Sequence, residues 1–140
     1  MSVYFDASVL VALFTIDPFT ERAKAFMRST MPAPVVSDFA AAEFASAVAR
    51  RVRTKDLTPA EARSAFRSFD AWTAQVTQRT QISHGDISAA ETFLRRLDLN
   101  LLTPDALHLA LAQRMGASLV TFDSMMATCA RALKIPVTAA

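Results

Sequence analysis

Residues 102–123 read LTPDALHLALAQRMGASLVTFD and contain the clearest helix-then-strand pattern of the sequence. Thr103 followed by Pro104 predicts a helix start, with an N-cap residue and then a proline in the first turn. Gly116 is typical of a helix end. The apolar run 117–122 after it predicts a short strand covered on both faces. The stretch therefore predicts a helix followed by a strand of a buried parallel sheet.

Two acidic residues mark this stretch. Asp105 lies in the first turn of the predicted helix, and Asp123 comes directly after the predicted strand. In open α/β sheets, ligands bind at the carboxyl ends of the strands, and helix N-termini often reach the same edge. We therefore expect these two carboxylates to lie close together.

Composition limits the class of protein. The chain has 140 residues, of which 52% are hydrophobic, enough for one domain with a substantial core. The net charge of +2 is too small to identify a nucleic-acid-binding protein. Cys129 is the only cysteine, which excludes an internal disulfide and a cysteine-based zinc cluster. We found no bilayer-spanning apolar run and no signal segment, so we expect a soluble cytoplasmic protein forming a single domain, 1–140.

The start of the chain repeats the pattern of strand followed by acid. Residues 2–5 are rich in β-formers and end at Asp6, and an apolar segment of helical length follows at 7–14. Residues 35–36 predict a minimal strand, and Ser37 or Asp38 is expected to cap the alanine-rich helix after it. This alternation of strands and helices favours an α/β fold with a parallel sheet.

The remaining elements are predicted less directly. Asp17 and Pro18 predict the N-cap and first residue of a helix to about residue 29, and Thr58 with Glu61 forms a capping-box signature. The other predicted elements are a strand at 80–82, a helix opening at residues 85–86, a helix over 125–133 and a terminal edge strand at 136–138.

Four acids form the candidate site: Asp6, Glu43, Asp105 and Asp123. Glu43 stands alone in an apolar helix and needs a cation or a strong donor nearby. Each acid has a structural alternative, since Asp105 can complement a helix dipole, Asp123 can serve as an N-cap, and Asp6 and Glu43 can form buried salt bridges. Together they favour a shared site.

The type of ligand follows from the donor atoms. Carboxylate oxygens without cysteine or histidine partners suit a hard cation, Mg²⁺ or Mn²⁺. Such a site could orient and activate water for attack on a phosphodiester.

Four segments carry a resemblance to a known family: VYFDAS at 3–8, SDFAAAE at 37–43, PDALHLA at 104–110 and LVTFD at 119–123. In this order and spacing, the sequence resembles PIN-domain proteins, and specifically the VapC toxin ribonucleases of bacterial toxin-antitoxin pairs.

The resemblance implies a three-layer α/β fold whose central parallel sheet has five strands in the order 3-2-1-4-5. It implies a Mg²⁺- or Mn²⁺-dependent endoribonuclease site at the four acids, with Ser8 and Thr121 supporting them. An RNA substrate, a cognate antitoxin and a homodimer are the expected partners. Some relatives carry a further acid just after the last aspartate, where this chain has residues 124–126, SMM. That departure leaves open whether one or two metal ions bind.

Two other functions remain as alternatives. A receiver-like phosphoacceptor domain also gathers acids at strand ends, but its late lysine is poorly matched by Lys134. A non-catalytic PIN-like module that binds RNA or protein is the other. The arginine cluster of Arg50, Arg51 and Arg53 could contact RNA phosphates or an antitoxin, or simply be a solvated helix end.

Two further expectations concern packing. His108 lies three residues after Asp105 and is expected to be a packed or exposed histidine, not a metal ligand. The apolar helical faces at 19–27 and 66–72 are expected to pack on the core and also to be covered by an antitoxin tail or a second copy of the chain.

Overall fold

A parallel β-sheet forms the centre of the structure, a computed structural model that describes residues 2–29 and 32–140. Its strands are β1 (Val3–Phe5), β2 (Val35–Ser37), β3 (Gln78–Thr80) and β4 (Ser118–Val120). They pair in the order β3-β2-β1-β4, and each pairing is parallel. The carboxyl ends of all four strands therefore meet at one edge of the sheet.

Helices connect the strands and cover both faces of the sheet. They are α1 (Ala7–Phe14), α2 (Thr20–Arg28), α3 (Asp38–Arg53), α4 (Pro59–Val76), α5 (His84–Leu94), α6 (Thr103–Arg114) and α7 (Ser124–Ala132). None of the helices in the described ranges combines the length and hydrophobicity that crossing a bilayer would require. The expected three-layer α/β architecture is confirmed.

Strands β1, β2 and β4 each supply side chains to two separate cores, because successive residues of a strand point to opposite faces. Tyr4 and Leu119 pack on one side, in a cluster with residues of α5, α6 and α7. Phe5 and Val120 pack on the other side, in a cluster with residues of α1, α3 and α4. Every residue of β1, β2 and β4 is buried, whereas Gln78 and Arg79 of the edge strand β3 are exposed.

The fifth strand was predicted at 136–138, but the structure has a single parallel bridge there, between Leu119 and Val137. The amide of Leu119 donates to the carbonyl of Pro136 at 2.8 Å, and the amide of Thr138 donates to the carbonyl of Leu119 at 2.9 Å. Pro136 has no amide hydrogen with which to extend the ladder. The sheet of the described residues therefore has four strands and one bridge in place of five strands.

The third strand lies at 78–80, two residues before its predicted position at 80–82. Gln78 and Thr80 pair with Val35 and Ser37 of β2. The amide of Ile82 is instead bound by the Oδ1 of Asp38 at 2.9 Å. The chain leaves the sheet after Thr80 because this carboxylate takes the amide that a longer strand would use.

The start of α6 also differs from the prediction. Leu102 is the N-cap residue, and no side chain caps the helix from that position, so Thr103 is already helical. Asp105 lies in the first turn of this helix, where the backbone of Leu102 lowers the pKa of its carboxyl against the larger raising effect of burial. The end of α6 follows the sequence: Gly116 adopts a left-handed φ of 61°, and its amide donates to the carbonyl of Gln113.

The apolar faces of α2 and α4 pack mostly within the chain. The ring of Phe5 lies 6.0 Å from Phe26 and 6.3 Å from Trp72, while Phe14 makes an edge contact with Phe69 at 5.6 Å. The capping box at Thr58 that was predicted to open α4 is confirmed. Less of these two faces is left for a partner than the sequence led us to expect.

A buried ion pair fixes α5 against α6. Asp86 is 1% exposed, and its carboxylate accepts hydrogen bonds from Arg114 at 2.8 and 2.9 Å. It also accepts from the amide of Ser83, in the capping box that opens α5. Burial alone would raise the pKa of Asp86, but the hydrogen bonds from Arg114 and Ser83 hold it below its usual value.

We predict that Arg114→Gln destabilises the protein, because it leaves a buried carboxylate without its counter-ion. Breaking a fully buried pair costs about 3 kcal/mol or more, and the partial exposure of Arg114 lowers the expected loss to about 2 kcal/mol. Urea unfolding at pH 7 measures it. The pKa of Asp86 is depressed in the folded state, so the pair's contribution is complete above the unfolded pKa of about 4. It is lost as pH falls through the folded value.

The matched control is Arg95→Gln, which removes an exposed ion pair with Glu91. Its effect should stay within about 0.5 kcal/mol. Equal losses in the two variants would contradict the role given to Arg114.

Candidate active site

Asp6 lies at the carboxyl end of the central strand and is 2% exposed. Its Oδ1 accepts from the hydroxyl of Ser8 at 2.6 Å and from the amide of Val9 at 3.3 Å, as the N-cap of α1. Its Oδ2 accepts from the hydroxyl of Thr121 at 2.5 Å. The hydroxyls of Ser8 and Thr121 therefore hold the carboxylate of Asp6 in one orientation.

The same two hydroxyls also hold the loop that carries Asp123. The amide of Phe122 donates to the Oγ of Ser8 at 3.0 Å, and the amide of Asp123 donates to the Oγ1 of Thr121 at 3.0 Å. Each hydroxyl thus donates to Asp6 and accepts from the loop after β4. The position of one candidate acid is coupled to that of another.

Glu43 is fixed by a line of buried polar groups across the sheet. The Nε2 of His108 and the Oε1 of Glu43 form a very short hydrogen bond. The other ring nitrogen, Nδ1, lies 2.7 Å from the hydroxyl of Tyr4, which lies 2.8 Å from the Oγ of Ser37. The donor that Glu43 was expected to need is thus a histidine, and His108 is packed, at 2% exposure.

Only one arrangement of protons satisfies every member of this line. The carboxylate of Glu43 can only accept, so Nε2 of His108 donates to it and Nδ1 is left to accept from the next group in the line. Burial raises the pKa of Tyr4 far above its usual value, so its hydroxyl keeps its proton and donates to Nδ1. Ser37 then donates to Tyr4 while accepting from the amide of Ala40 at 2.9 Å. In the described residues no buried side-chain polar atom is without a partner.

The other two acids lie nearer the surface. Asp123 is exposed, and its Oδ1 accepts from the amides of Met125 and Met126 at 2.9 and 3.2 Å. It is therefore the N-cap of α7, and its second oxygen accepts no hydrogen bond from residues 2–29 or 32–140. The pKa of the half-buried Asp105 is raised by its burial first and then by the negative charges of Asp123 and Glu43. The structure thus brings these acids close enough to repel one another.

Burial also raises the pKa of Asp6, against the lowering effect of the hydrogen bonds from Ser8 and Thr121. The buried carboxylate is therefore costly to ionise. Excess negative charge and unshared carboxylate oxygens suit a hard divalent cation by the chemistry of the donors. In residues 2–29 and 32–140, however, no three acidic, histidine or cysteine side chains already converge into a metal-binding group.

Asp38 and the arginine cluster make contacts of their own. Asp38, one of the two expected caps of α3, binds the amide of Ile82. Arg51 donates to Thr15, Ile16 and Asp17 and so holds the loop after α1. Arg50 and Arg53 are exposed, and with Glu43 they line a groove of about 360 Å³.

Sequence reasoning missed Tyr4 and Ser37 as members of the site. The signal was present, because Tyr4 is the only tyrosine of the chain and stands in the first predicted strand, directly beside the apolar Phe5. A buried tyrosine hydroxyl usually finds a hydrogen-bond partner. What the sequence could not show is which polar group lies opposite it, since His108 is 104 residues away.

We predict that Asp6→Asn, in metal-free protein, is at least as stable as the wild type at pH 7. Because the folded pKa of Asp6 is raised, its contribution to stability is complete below the unfolded pKa of about 4 and is lost as pH rises through the folded value. The advantage of the variant should therefore shrink as pH falls. Thermal melts in chelator across this pH range measure the difference, and a variant clearly less stable at pH 7 would favour a stabilising role for the carboxylate.

We predict that the ring nitrogens of His108 give the ¹⁵N shifts of the neutral Nε2–H form. Tyr4→Phe removes the donor to Nδ1 and the acceptor for Ser37, so it should lower stability by about 1 to 3 kcal/mol. Thr92→Val, which removes an exposed hydroxyl, is the control and should change stability little. The Nδ1–H form in the wild type would refute the assignment.

Comparison with known proteins places the fold. The PIN domain model matches residues 3–132, whereas no curated protein matches the sequence. The structure of the VapC20 toxin of Mycobacterium tuberculosis, described as a sarcin-ricin loop cleaving toxin, is similar with a TM-score of 0.74 at 20% identity, covering 91% of this chain and 94% of that one.

Two complexes contain similar chains. FitAcB of Neisseria gonorrhoeae gives a TM-score of 0.69 at 14% identity, covering 98% of this chain and 95% of that one. VapBC2 of Rickettsia felis, bound to a promoter DNA fragment, gives 0.64 at 15% identity, covering 100% and 98%. At these identities the likeness concerns the fold alone. Since the family model spans nearly the whole sequence, the chain belongs to the PIN domain family.

Proposed function

We propose that this protein is a Mg²⁺- or Mn²⁺-dependent endoribonuclease that acts as the toxin of a toxin-antitoxin pair. The observation that carries the proposal is the buried Asp6, held by Ser8 and Thr121 at the carboxyl end of the central strand. A buried carboxylate that is costly to ionise, with three more acids around the same edge of the sheet, is typical of a functional site. The receiver-like alternative does not agree with membership of the PIN domain family.

The similar structures support this proposal without establishing it. One is described as a toxin that cleaves the sarcin-ricin loop. Another, from Klebsiella pneumoniae, is described as a toxin-antitoxin complex and is similar with a TM-score of 0.64 at 21% identity, covering 88% of each chain. These activities and assemblies belong to those proteins. They make an RNA substrate and an antitoxin the first candidates to test here.

The four candidate acids lie at different depths in the proposed site. Asp6, Glu43, Asp105 and Asp123 would hold the cation, Asp6 from the base of the site and Asp105 and Asp123 from nearer the surface. A bound Mg²⁺ or Mn²⁺ would polarise a phosphoryl oxygen and lower the pKa of a bound water. Ser8 and Thr121 keep the carboxylate of Asp6 in one orientation, and His108 does the same for Glu43.

A second part of the site would bind the phosphates of the RNA backbone. It is the groove lined by Glu43, Arg50 and Arg53, which we call the arginine groove. Arg50 and Arg53 are exposed in the groove lined by Glu43, at the carboxyl end of α3, so their charges complement both the helix dipole and a phosphate. Arg51 is already engaged with Asp17 and the loop after α1. We therefore assign the contact to Arg50 and Arg53, and a structural role to Arg51.

An antitoxin segment and a second copy are the proposed protein partners. Between α3 and α4 lies a groove of about 530 Å³ lined by Ala41, Phe44, Phe66 and Phe69 among others. Phe66 and Phe69 belong to the apolar face of α4 that was expected to meet a partner, whereas Trp72 of that face packs on Phe5. A non-catalytic binding module is the second candidate function, favoured by the lack of a converged metal-binding group in the described residues.

We predict that Asp6→Asn lowers RNA cleavage by about 100-fold or more, the scale expected when one transition-state-stabilising group is lost. Purified protein with RNA and Mg²⁺ or Mn²⁺, and the same mixture with chelator, measure it. Asp98→Asn, which alters an exposed acid paired with Arg96, should leave cleavage unchanged.

Calorimetric titration with Mn²⁺ separates the two candidate functions. An enzyme should bind the ion in the wild type and lose that binding in Asp6→Asn. Metal-independent RNA binding without cleavage would favour the non-catalytic module.

A further inference from the structure

Phe19 is an exposed aromatic residue beside the candidate site. Large apolar side chains exposed in the described residues are Ile16, Phe19, Val76, Ile87, Leu97, Leu102 and Met125, and Phe19, at 36% exposure, is the only aromatic one. A single exposed apolar side chain is common on protein surfaces. What this ring can bind therefore depends on the groups that surround it.

The backbone around Phe19 is held in place by a dedicated set of hydrogen bonds. Asp17 accepts from the amide of Phe19 at 3.0 Å through Oδ2. Thr20 donates its hydroxyl to the carbonyl of Thr15 at 2.9 Å and accepts from the amide of Asp17 at 3.0 Å. These bonds are the reason why α2 begins at Thr20 and not at Pro18 as the sequence predicted. Phe19 is thus presented by a fixed turn ahead of the helix.

The ring of Phe19 belongs to a parallel stack. Phe122 lies 4.7 Å away, with an angle of 8° between the two planes. The guanidinium of Arg22 lies 5.5 Å from the centre of Phe19 and 5.3 Å from that of Phe122. Arg22 is itself held by the carbonyl of Ala140 at 2.7 and 3.1 Å. We call Phe19, Phe122 and Arg22 the aromatic platform.

The aromatic platform opens directly onto the candidate site. Phe19 and Phe122 line a groove of about 270 Å³ together with Ser8, Val11 and Asp123. Asp17, which also lines this groove, is neutralised by Arg51 at 3.3 Å, so it does not repel an anion strongly. The groove thus has a flat aromatic wall and a candidate metal ligand at its rim.

Val11 connects this groove to the second one. It also lines the groove that contains Glu43, Arg50 and Arg53. One chain of nucleotides could therefore pass from the arginine groove over the acids to the aromatic platform. Aromatic rings accept the flat face of any base, and arginine adds both stacking and attraction to a phosphate.

We propose that the aromatic platform binds one unpaired base of single-stranded RNA, next to the phosphate that the acids would attack. The inference rests on the proposed endoribonuclease function and adds a subsite to it. A peptide side chain is the other candidate occupant, but a parallel ring pair beside a guanidinium and the rim of a phosphodiester site favours a base.

Binding is tested first in the full chain carrying Asp6→Asn, to prevent cleavage. The probe is a short single-stranded oligoadenylate with one 2-aminopurine, whose fluorescence falls on stacking. Phe19→Ala and Phe19→Leu should abolish the quenching and weaken binding between about 5-fold and about 150-fold, as loss of one stacked base predicts. Phe19→Trp should restore both. Ile87→Ala, another exposed apolar residue, is the control and should change neither.

An abasic scan locates the subsite. Moving a single abasic nucleotide along the probe should weaken binding at one position in protein with Phe19, and no further in Phe19→Leu. Unchanged affinity and quenching in Phe19→Leu, or failure of Phe19→Trp to restore them, would overturn the proposal. The proposal would also be overturned if Phe19→Leu weakened only the binding of a protein partner and left the binding of the oligonucleotide unchanged. Thermal melts of every variant guard against misfolding.

Two further outcomes separate this inference from the proposed function. If the wild type cleaves no RNA but quenching depends on Phe19, the platform stands and the endoribonuclease proposal fails. If the wild type cleaves RNA and Phe19→Leu cleaves it equally well, with no quenching in either, the enzyme stands and the platform fails. If the protein neither binds nor cleaves RNA, both are overturned.

Discussion

The site depends on one costly feature, a carboxylate sealed at the end of the central strand. Asp6 is almost wholly buried, and no cationic side chain forms an ion pair with it in the described residues. Two hydroxyls and one amide satisfy its oxygens but cannot cancel its charge. The structure therefore keeps a group that opposes folding when ionised, and a cation would relieve that opposition.

The way in which Asp6 is held also organises the neighbouring acids. The hydroxyls of Ser8 and Thr121 donate to Asp6 and accept from the amides of Phe122 and Asp123. The loop after β4 therefore cannot move without disturbing the carboxylate. Tyr4, two residues earlier in the same strand, fixes His108 and through it Glu43. Strand β1 thus sets the geometry on both sides of the sheet, although it has only three residues. Ser37 links this line to the start of α3, where it is also the N-cap.

Much of this arrangement could be predicted from the sequence. Strand-then-acid patterns located Asp6 and Asp123, and apolar periodicity gave the alternation of helices and strands. The errors arose where a side chain from a distant segment took a backbone hydrogen bond. Asp38 took the amide of Ile82, 44 residues away, and so ended the third strand before its predicted position. Local pattern rules cannot see such competition, because the competing residue is chosen by the tertiary fold.

For the same reason, the sequence could not predict which side chains meet on the surface around the site. Phe19 and Phe122 are separated by most of the chain, yet their rings stack at 4.7 Å, and Arg22 joins them only because Ala140 holds its guanidinium. The two grooves that meet at Val11 differ in character: one is lined by Arg50 and Arg53, the other by aromatic rings. A phosphate backbone is attracted by the first and a base by the second. Because a candidate acid borders each groove, Glu43 in one and Asp123 in the other, a strand that occupied both would have to cross the acids. The surface would then select an unpaired strand by its shape, since a base in a helix is not free to stack on the rings.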